Sequence, residues 1–142
     1  MDRDRIYSEA DRAFMERSIE LASRGTGLTF PNPLVGAVVV AGGEVVGEGV
    51  HAGAGGPHAE VVALEAAGGR ARGATIYLNL EPCCHHGRTP PCTDAIAGAG
   101  ISRVVFAIFD PDGRVRGEGA RILRDCGIEV ETGPVSYTHL TL

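Results

Sequence analysis

The sequence predicts a three-layer α/β/α sandwich on a mixed sheet of about five strands. Three observations predict it: a helical period at the N-terminus, a glycine-turned hairpin after it, and a strict alternation of strand-like and helix-like segments thereafter. Alternation of that kind favours parallel strands joined by helices that cover the sheet.

Ser8 followed by Asp11 has the spacing of a helix N-cap arrangement. Ala13, Phe14, Ile19, Leu21 and Ala22 then recur at helical intervals until SRGTG stops them, so the first helix is expected over 8–24. VGAVVV (35–40) and EVVGEGV (44–50) flank AGG, the pattern of two strands around a tight turn. HAEVVALEAAG (58–68) is rich in strong helix formers, and Pro57 suits a helix start. ATIYLNL (74–80) reads as a buried strand, CTDAIAGAG (92–100) as a short helix and RVVFAIFD (103–110) as a further strand. GEGARILRDCG (117–127) reads as the last helix, and IEVETG, from Ile128, as the last strand. PVSYTHLTL (134–142) has neither a period nor a place in this order. It is read as foreign sequence or as the start of a truncated remainder, which leaves one domain over 1–133 and a tail over 134–142.

A chain of 142 residues is long enough to bury roughly two-thirds of its unfolded surface in one core, so staples are not required for stability. The formal charge of −5 and an aromatic share of 5 % without Trp argue against nucleic acid or an anionic membrane as partners, while a small phosphorylated substrate stays compatible. All 13 basic residues are Arg, which is attributed to genomic base composition and carries no functional weight. Three of the four cysteines stand at 83, 84 and 92, unlike the spread of a secreted disulfide framework. MDRDRIYSEADR is charged and lacks an apolar core, and the longest apolar runs are far too short for a bilayer, so a cytoplasmic protein is expected.

The chemistry concentrates in EPCCHHGRTPPC (81–92), a segment too rich in proline for a helix or a central strand. Zinc takes His nitrogen and Cys thiolate in tetrahedral array, and a catalytic site uses three protein ligands so that water can take the fourth position. The candidates are His58, Cys83 and Cys92, each placed just before or at the start of an expected helix, where thiolates are favoured. One neutral imidazole and two thiolates also balance a dipositive ion. Glu60 falls in the same first helical turn as His58, without being a ligand, and suits general acid–base work in a hydrolytic deamination. Each signal has a plainer alternative: His-Ala-Glu near a helix start as solvated residues or caps, three cysteines as a structural zinc knot, Cys84 and Cys126 as small buried side chains.

Together, His58-x-Glu60, Pro82-Cys83 and a later Cys resemble the signature of the zinc-dependent cytidine-deaminase-like superfamily, whose usual spacing is P-C-x-x-C. Here eight residues, CHHGRTPP, separate Cys83 from Cys92. With PNPLVGAVVV and GGPHAEVVAL, that long insert resembles the deaminase domains of bifunctional riboflavin-biosynthesis enzymes over about residues 8–133. The resemblance implies a cytidine-deaminase-like fold, a zinc ion and deamination of 2,5-diamino-6-(5-phosphoribosylamino)pyrimidin-4(3H)-one to 5-amino-6-(5-phosphoribosylamino)uracil. It implies His58, Cys83 and Cys92 as zinc ligands, Glu60 as proton donor, and Asn32, His51, His85, Arg88, Thr89 and Asp110 as substrate contacts. It also implies a homo-oligomer, and a C-terminal reductase domain in many relatives that this chain ends too early to contain.

Arg88 presents a planar donor fork suited to phosphate oxygens. The plainer readings are a solvated loop Arg88, a strand-end His51, a turn residue Asn32 between prolines, and an Asx turn at Asp110. Cys84 and His86 are expected to be spectators. Two other functions compete: deamination of another nucleoside, nucleotide or tRNA base, disfavoured by the cysteine spacing and charge, and a structural zinc-binding module, for which Glu60 would have no purpose.

Overall fold

Ser8 and Asp11 open the first helix with reciprocal bonds: the Asp11 N–H donates to Ser8 Oγ (3.0 Å) and the Ser8 N–H to an Asp11 carboxylate oxygen (3.1 Å). A computed structural model describes residues 8–23, 35–51, 58–83, 91–108 and 116–132. The tail expected over 134–142 lies outside the described residues. The elements are α1 (Glu9–Ser23), β1 (Gly36–Ala41), β2 (Glu44–Val50), α2 (Ala59–Ala67), β3 (Thr75–Leu80), α3 (Cys92–Gly98), β4 (Arg103–Ile108), α4 (Glu118–Asp125) and β5 (Glu129–Thr132). Each falls on a segment expected from the sequence. A 3₁₀ turn, Gly68–Ala71, which the helical period did not show, prolongs α2.

The five strands form one mixed sheet in the order β2-β1-β3-β4-β5. β1 runs antiparallel to β2 and β3, while β3, β4 and β5 are mutually parallel. Gly42 and Gly43 turn the β1–β2 hairpin at φ of 60° and 82°, the left-handed pair that a two-residue turn of matching twist requires.

Side chains alternate across the sheet and both faces are buried, which is why the strands read as continuous apolar runs. Val38, Val40, Tyr77 and Val105 pack with Met15 and Leu21 of α1 on one face. Ala37, Val39, Ile76, Leu78, Val104 and Phe106 pack on the other face with residues of α2, α3 and α4, among them Ala63, Ile96 and Leu123. The result is the predicted α/β/α sandwich.

α2 lies unusually close to β2. Ala59, Ala63 and Ala67 are buried at intervals of four, and Gly47 and Gly49 face them. A Cβ on Gly49 would overlap the Ala59 carbonyl oxygen and sit 2.7 Å from the Ala63 nitrogen; one on Gly47 would overlap the Ala63 carbonyl oxygen. Small residues on both partners thus seat the first turn of α2 against the sheet. No helix among the described residues is long and apolar enough to cross a membrane.

Candidate active site

β3 leads straight into Glu81-Pro82-Cys83, and Pro82, which has no N–H to give, ends the strand pairing. The last tie to the sheet is the Glu81 N–H, which donates to the Ile108 carbonyl at the end of β4 (2.8 Å). The segment therefore emerges at the C-terminal ends of parallel strands, where open α/β sheets characteristically bind ligands. Cys92 is the first residue of α3 and buried. Cys83 is not at a helix start, as the sequence suggested, but in the coil after β3. Two N–H groups of the first turn of α3 reach it nonetheless: Cys92 donates to its sulfur (3.4 Å) and Thr93 to its carbonyl (3.2 Å).

His58 occupies the N-cap position of α2 with extended backbone, and its imidazole makes no cap bond. It turns instead toward the cysteines. His58 Nδ1 lies 3.1 Å from Cys92 Sγ and 3.7 Å from Cys83 Sγ, and the three ligand atoms all fall within 4.8 Å of one another. Zn–N and Zn–S bonds of tetrahedral zinc place such atoms about 3.6 Å apart, so the cluster is the right size as well as the right chemistry for a metal ion. It is the one such group of His, Cys, Asp or Glu side chains found among the described residues.

The three side chains strongly polarise one another. A hydrogen bond from the Cys92 thiol, working against burial and helped by the Cys92 N–H and by His58, brings the Cys83 thiol down to about 5. Donating that bond, together with burial and the nearby Glu60, pushes the Cys92 thiol up. One negative charge is thus favoured on the pair, at Cys83. Glu60 is 4 % exposed, and burial raises its carboxyl; the charge on Cys83 adds to the rise, while a hydrogen bond from Glu60's own backbone N–H, the nearby His58 and a bond with Cys92 oppose it. A buried carboxyl of raised pKa in contact with the Cys92 sulfur is well suited to hold a proton and pass it on.

His51, just past the end of β2, is buried, its N–H donates to the Val35 carbonyl (3.3 Å), and its ring stands edge-on to His58 with centroids 5.3 Å apart. The structure therefore brings His51, His58, Glu60, Cys83 and Cys92 together. The other expected substrate contacts, Asn32, His85, Arg88, Thr89 and Asp110, lie outside the described residues, as do Cys84 and His86. Cys126, expected as a small buried side chain, is exposed instead, at the C-cap of α4 where the helix ends on the surface. The sequence reading passed over Glu81, which is 4 % exposed and bonded to two backbone N–H groups at the start of α4, Gly117 (3.0 Å) and Ala120 (3.1 Å). Its signal was available: an acid between a buried strand and Pro-Cys.

Among curated proteins, riboflavin biosynthesis protein RibD of Aquifex aeolicus is 55 % identical over 128 residues, 90 % of this chain and 36 % of the relative. A solved structure of Acinetobacter baumannii RibD superposes with a TM-score of 0.86 at 52 % identity, over 88 % of this chain and 35 % of that one. The diaminohydroxyphosphoribosylaminopyrimidine deaminase/5-amino-6-(5-phosphoribosylamino)uracil reductase of Thermotoga maritima superposes with a TM-score of 0.81 at 51 % identity, over 87 % and 36 %. The chain thus spans about a third of the length of these relatives. The family model of the cytidine and deoxycytidylate deaminase zinc-binding region matches residues 8–108, and the chain belongs to that family.

Proposed function

We propose that this chain is a zinc-dependent aminohydrolase that converts 2,5-diamino-6-(5-phosphoribosylamino)pyrimidin-4(3H)-one to 5-amino-6-(5-phosphoribosylamino)uracil, releasing ammonia. The observation that carries the chemistry is a buried Glu60 bonded to Cys92 beside a His58–Cys83–Cys92 group of metal-binding size. The substrate is supported by the 51 % identity to the Thermotoga maritima protein named for that activity.

In this reading His58 Nδ1 and the two thiolates hold zinc, with the charge of the thiolates cancelling that of the ion. Zinc, when bound, lowers the pKa of a water toward neutrality. Glu60 moves the protons. The reaction adds water across the amidine-like ring C=N bond, hydroxyl to carbon and a proton to the ring nitrogen. The tetrahedral carbon then breaks its bond to the exocyclic NH₂ as the hydroxyl proton passes to that nitrogen, leaving C=O and ammonia. Glu60 takes a proton from the attacking water and gives it to the ring nitrogen, then carries the hydroxyl proton to the departing nitrogen, and its burial keeps bulk water from exchanging these protons away. His51 borders the same space beside His58. His51, Asn32, His85, Arg88, Thr89 and Asp110 are assigned to the phosphorylated pyrimidine. A purely structural zinc module would leave the buried acid without a role.

The test combines metal content with turnover. Glu60→Gln is expected to keep about one zinc per chain and its fold while losing ammonia release by roughly 10²–10⁴-fold. His58→Ala and Cys83→Ser are expected to lose the zinc itself. The unchanged protein should release ammonia from the phosphoribosylated diaminopyrimidinone and not from cytidine or adenosine-containing tRNA. Full turnover in Glu60→Gln would remove its assignment, and the reverse substrate order would overturn the choice of substrate.

A further inference from the structure

We infer that Glu81 is a positioning residue for the metal group, coupling the Cys83 segment to the first turn of α4. Glu81 is 4 % exposed. Its Oε1 accepts from the Gly117 N–H (3.0 Å) and its Oε2 from the Ala120 N–H (3.1 Å), while its own N–H donates to Ile108 (2.8 Å). Side chain and main chain are thus fixed from two directions, by α4 and by β4. Only Pro82, whose φ is locked by its ring, stands between this anchor and Cys83.

The contact with α4 is a close one. Gly119, in the first turn of α4, faces the segment, and a Cβ there would overlap the Pro82 carbonyl oxygen and come within 3.5 Å of Glu81 Oε2. The otherwise unpaired N–H groups that open α4 are met by a carboxylate from another element, in the orientation the helix dipole favours. A shift of Glu81 is therefore transmitted to Cys83, and from Cys83 to Cys92 and Thr93 through their bonds to its sulfur and carbonyl.

This inference rests on the zinc-ligand reading above. If Glu81 served only to cap α4, its loss would lower stability and leave the metal group as it was. If it positions Cys83, metal affinity and ligand geometry must change as well, since groups that orient metal ligands typically contribute 10–100-fold to affinity. Glu81→Gln supplies an amide NH₂ where an acceptor is required. Gly119→Ala attacks the same contact from the α4 side while improving intrinsic helix propensity. Tyr77→Phe is the control, since it removes a hydrogen bond to Asp11 on the opposite face of the sheet.

Zinc affinity of the full 142-residue chain is measured by chelator competition, and ligand geometry by the visible spectrum of the cobalt(II)-substituted protein. Glu81→Gln and Gly119→Ala should each weaken zinc binding by about 10–100-fold and shift the cobalt bands. Tyr77→Phe should lose thermal stability with neither change. Unaltered zinc affinity and cobalt bands in both variants would reduce Glu81 to a helix cap and overturn the inference. Should Glu81→Gln not fold, Gly119→Ala decides on the same two readouts. A wild-type chain that takes up no zinc removes the ligand assignment and this inference with it, whereas a zinc-binding wild type matched by both variants removes Glu81 alone.

Discussion

Asp11 shows how a residue can be legible locally and opaque globally. Its partnership with Ser8, three residues away, follows from a spacing rule that holds for any helix start. Its other partners do not: Arg103 makes paired bonds to both carboxylate oxygens (3.0 Å each), Tyr77 donates at 2.5 Å, and Arg103 also bonds Glu131. No period links positions 11, 77, 103 and 131; only the sheet brings them together. Burial works to raise the Asp11 carboxyl, but the bonds from Arg103, Tyr77 and Ser8 together outweigh it and hold the group at about 2, below its ordinary 3.8. Because the folded value lies below the unfolded one, the unfolded chain binds more protons in between. The contribution, about 2 kcal/mol, is therefore complete above pH ~4 and lost as pH falls toward 2. Thermal unfolding against pH should show that acid limb, and Asp11→Asn should flatten it while lowering stability at pH 7 by about 2–4 kcal/mol. A steep limb persisting in Asp11→Asn would place the titration elsewhere. The grouping of His58, Cys83 and Cys92 was legible for the opposite reason: their donor chemistry is scarce and the three side chains do meet, whereas Glu81 reads as an ordinary acid until α4 is seen to pack on it.

At the scale of elements, periodicity located helices and strands to within a residue or two, because amphipathic spacing and glycine punctuation are properties of short segments. What periodicity could not convey was distance between elements. The glycines of EVVGEGV look like flaws in a strand, since they offer no side chain to pack. Their purpose emerges only against Ala59, Ala63 and Ala67, whose backbone they admit. Since Ala59 stands between His58 and Glu60, the approach at Gly49 also sets where the imidazole and the carboxyl lie. Gly49→Ala should cost about 1–3 kcal/mol through overpacking and displace the start of α2. Gly47→Ala meets Ala63 and Ala67 instead, further along the helix, and should cost a similar amount. Thermal melts paired with zinc titrations separate the two: both variants melt lower, but Gly49→Ala alone weakens zinc binding. Equal zinc affinity in both would mean that the seating of α2 on β2 does not govern the site.

At the scale of the molecule, the site is assembled from pieces that are remote along the chain. His58 comes from the start of α2, on the hairpin side of the sheet, and Cys83 and Cys92 from the crossing between the parallel strands β3 and β4. The sequence foretold a parallel portion but not that β1 would lie between β2 and β3, the placement that carries α2 beside the end of β3; strand order depends on pairing choices that no single segment encodes. An ion held by these three residues would tie the hairpin half of the fold to the parallel half. Such an ion binds the folded chain and finds no preformed site in the unfolded one, so it stabilises by mass action: free zinc at a hundred times its dissociation constant adds about 2.7 kcal/mol. For a domain of this size that raises the melting temperature by roughly 8 °C. Stripping the metal with a chelator should lower the melting temperature by about that amount, and restoring zinc should recover it. Cys83→Ser should melt at one temperature in either condition, because a group with two remaining ligands no longer closes on the ion. If instead the unaltered protein melts identically with and without zinc, the cluster does not bridge the two halves of the fold.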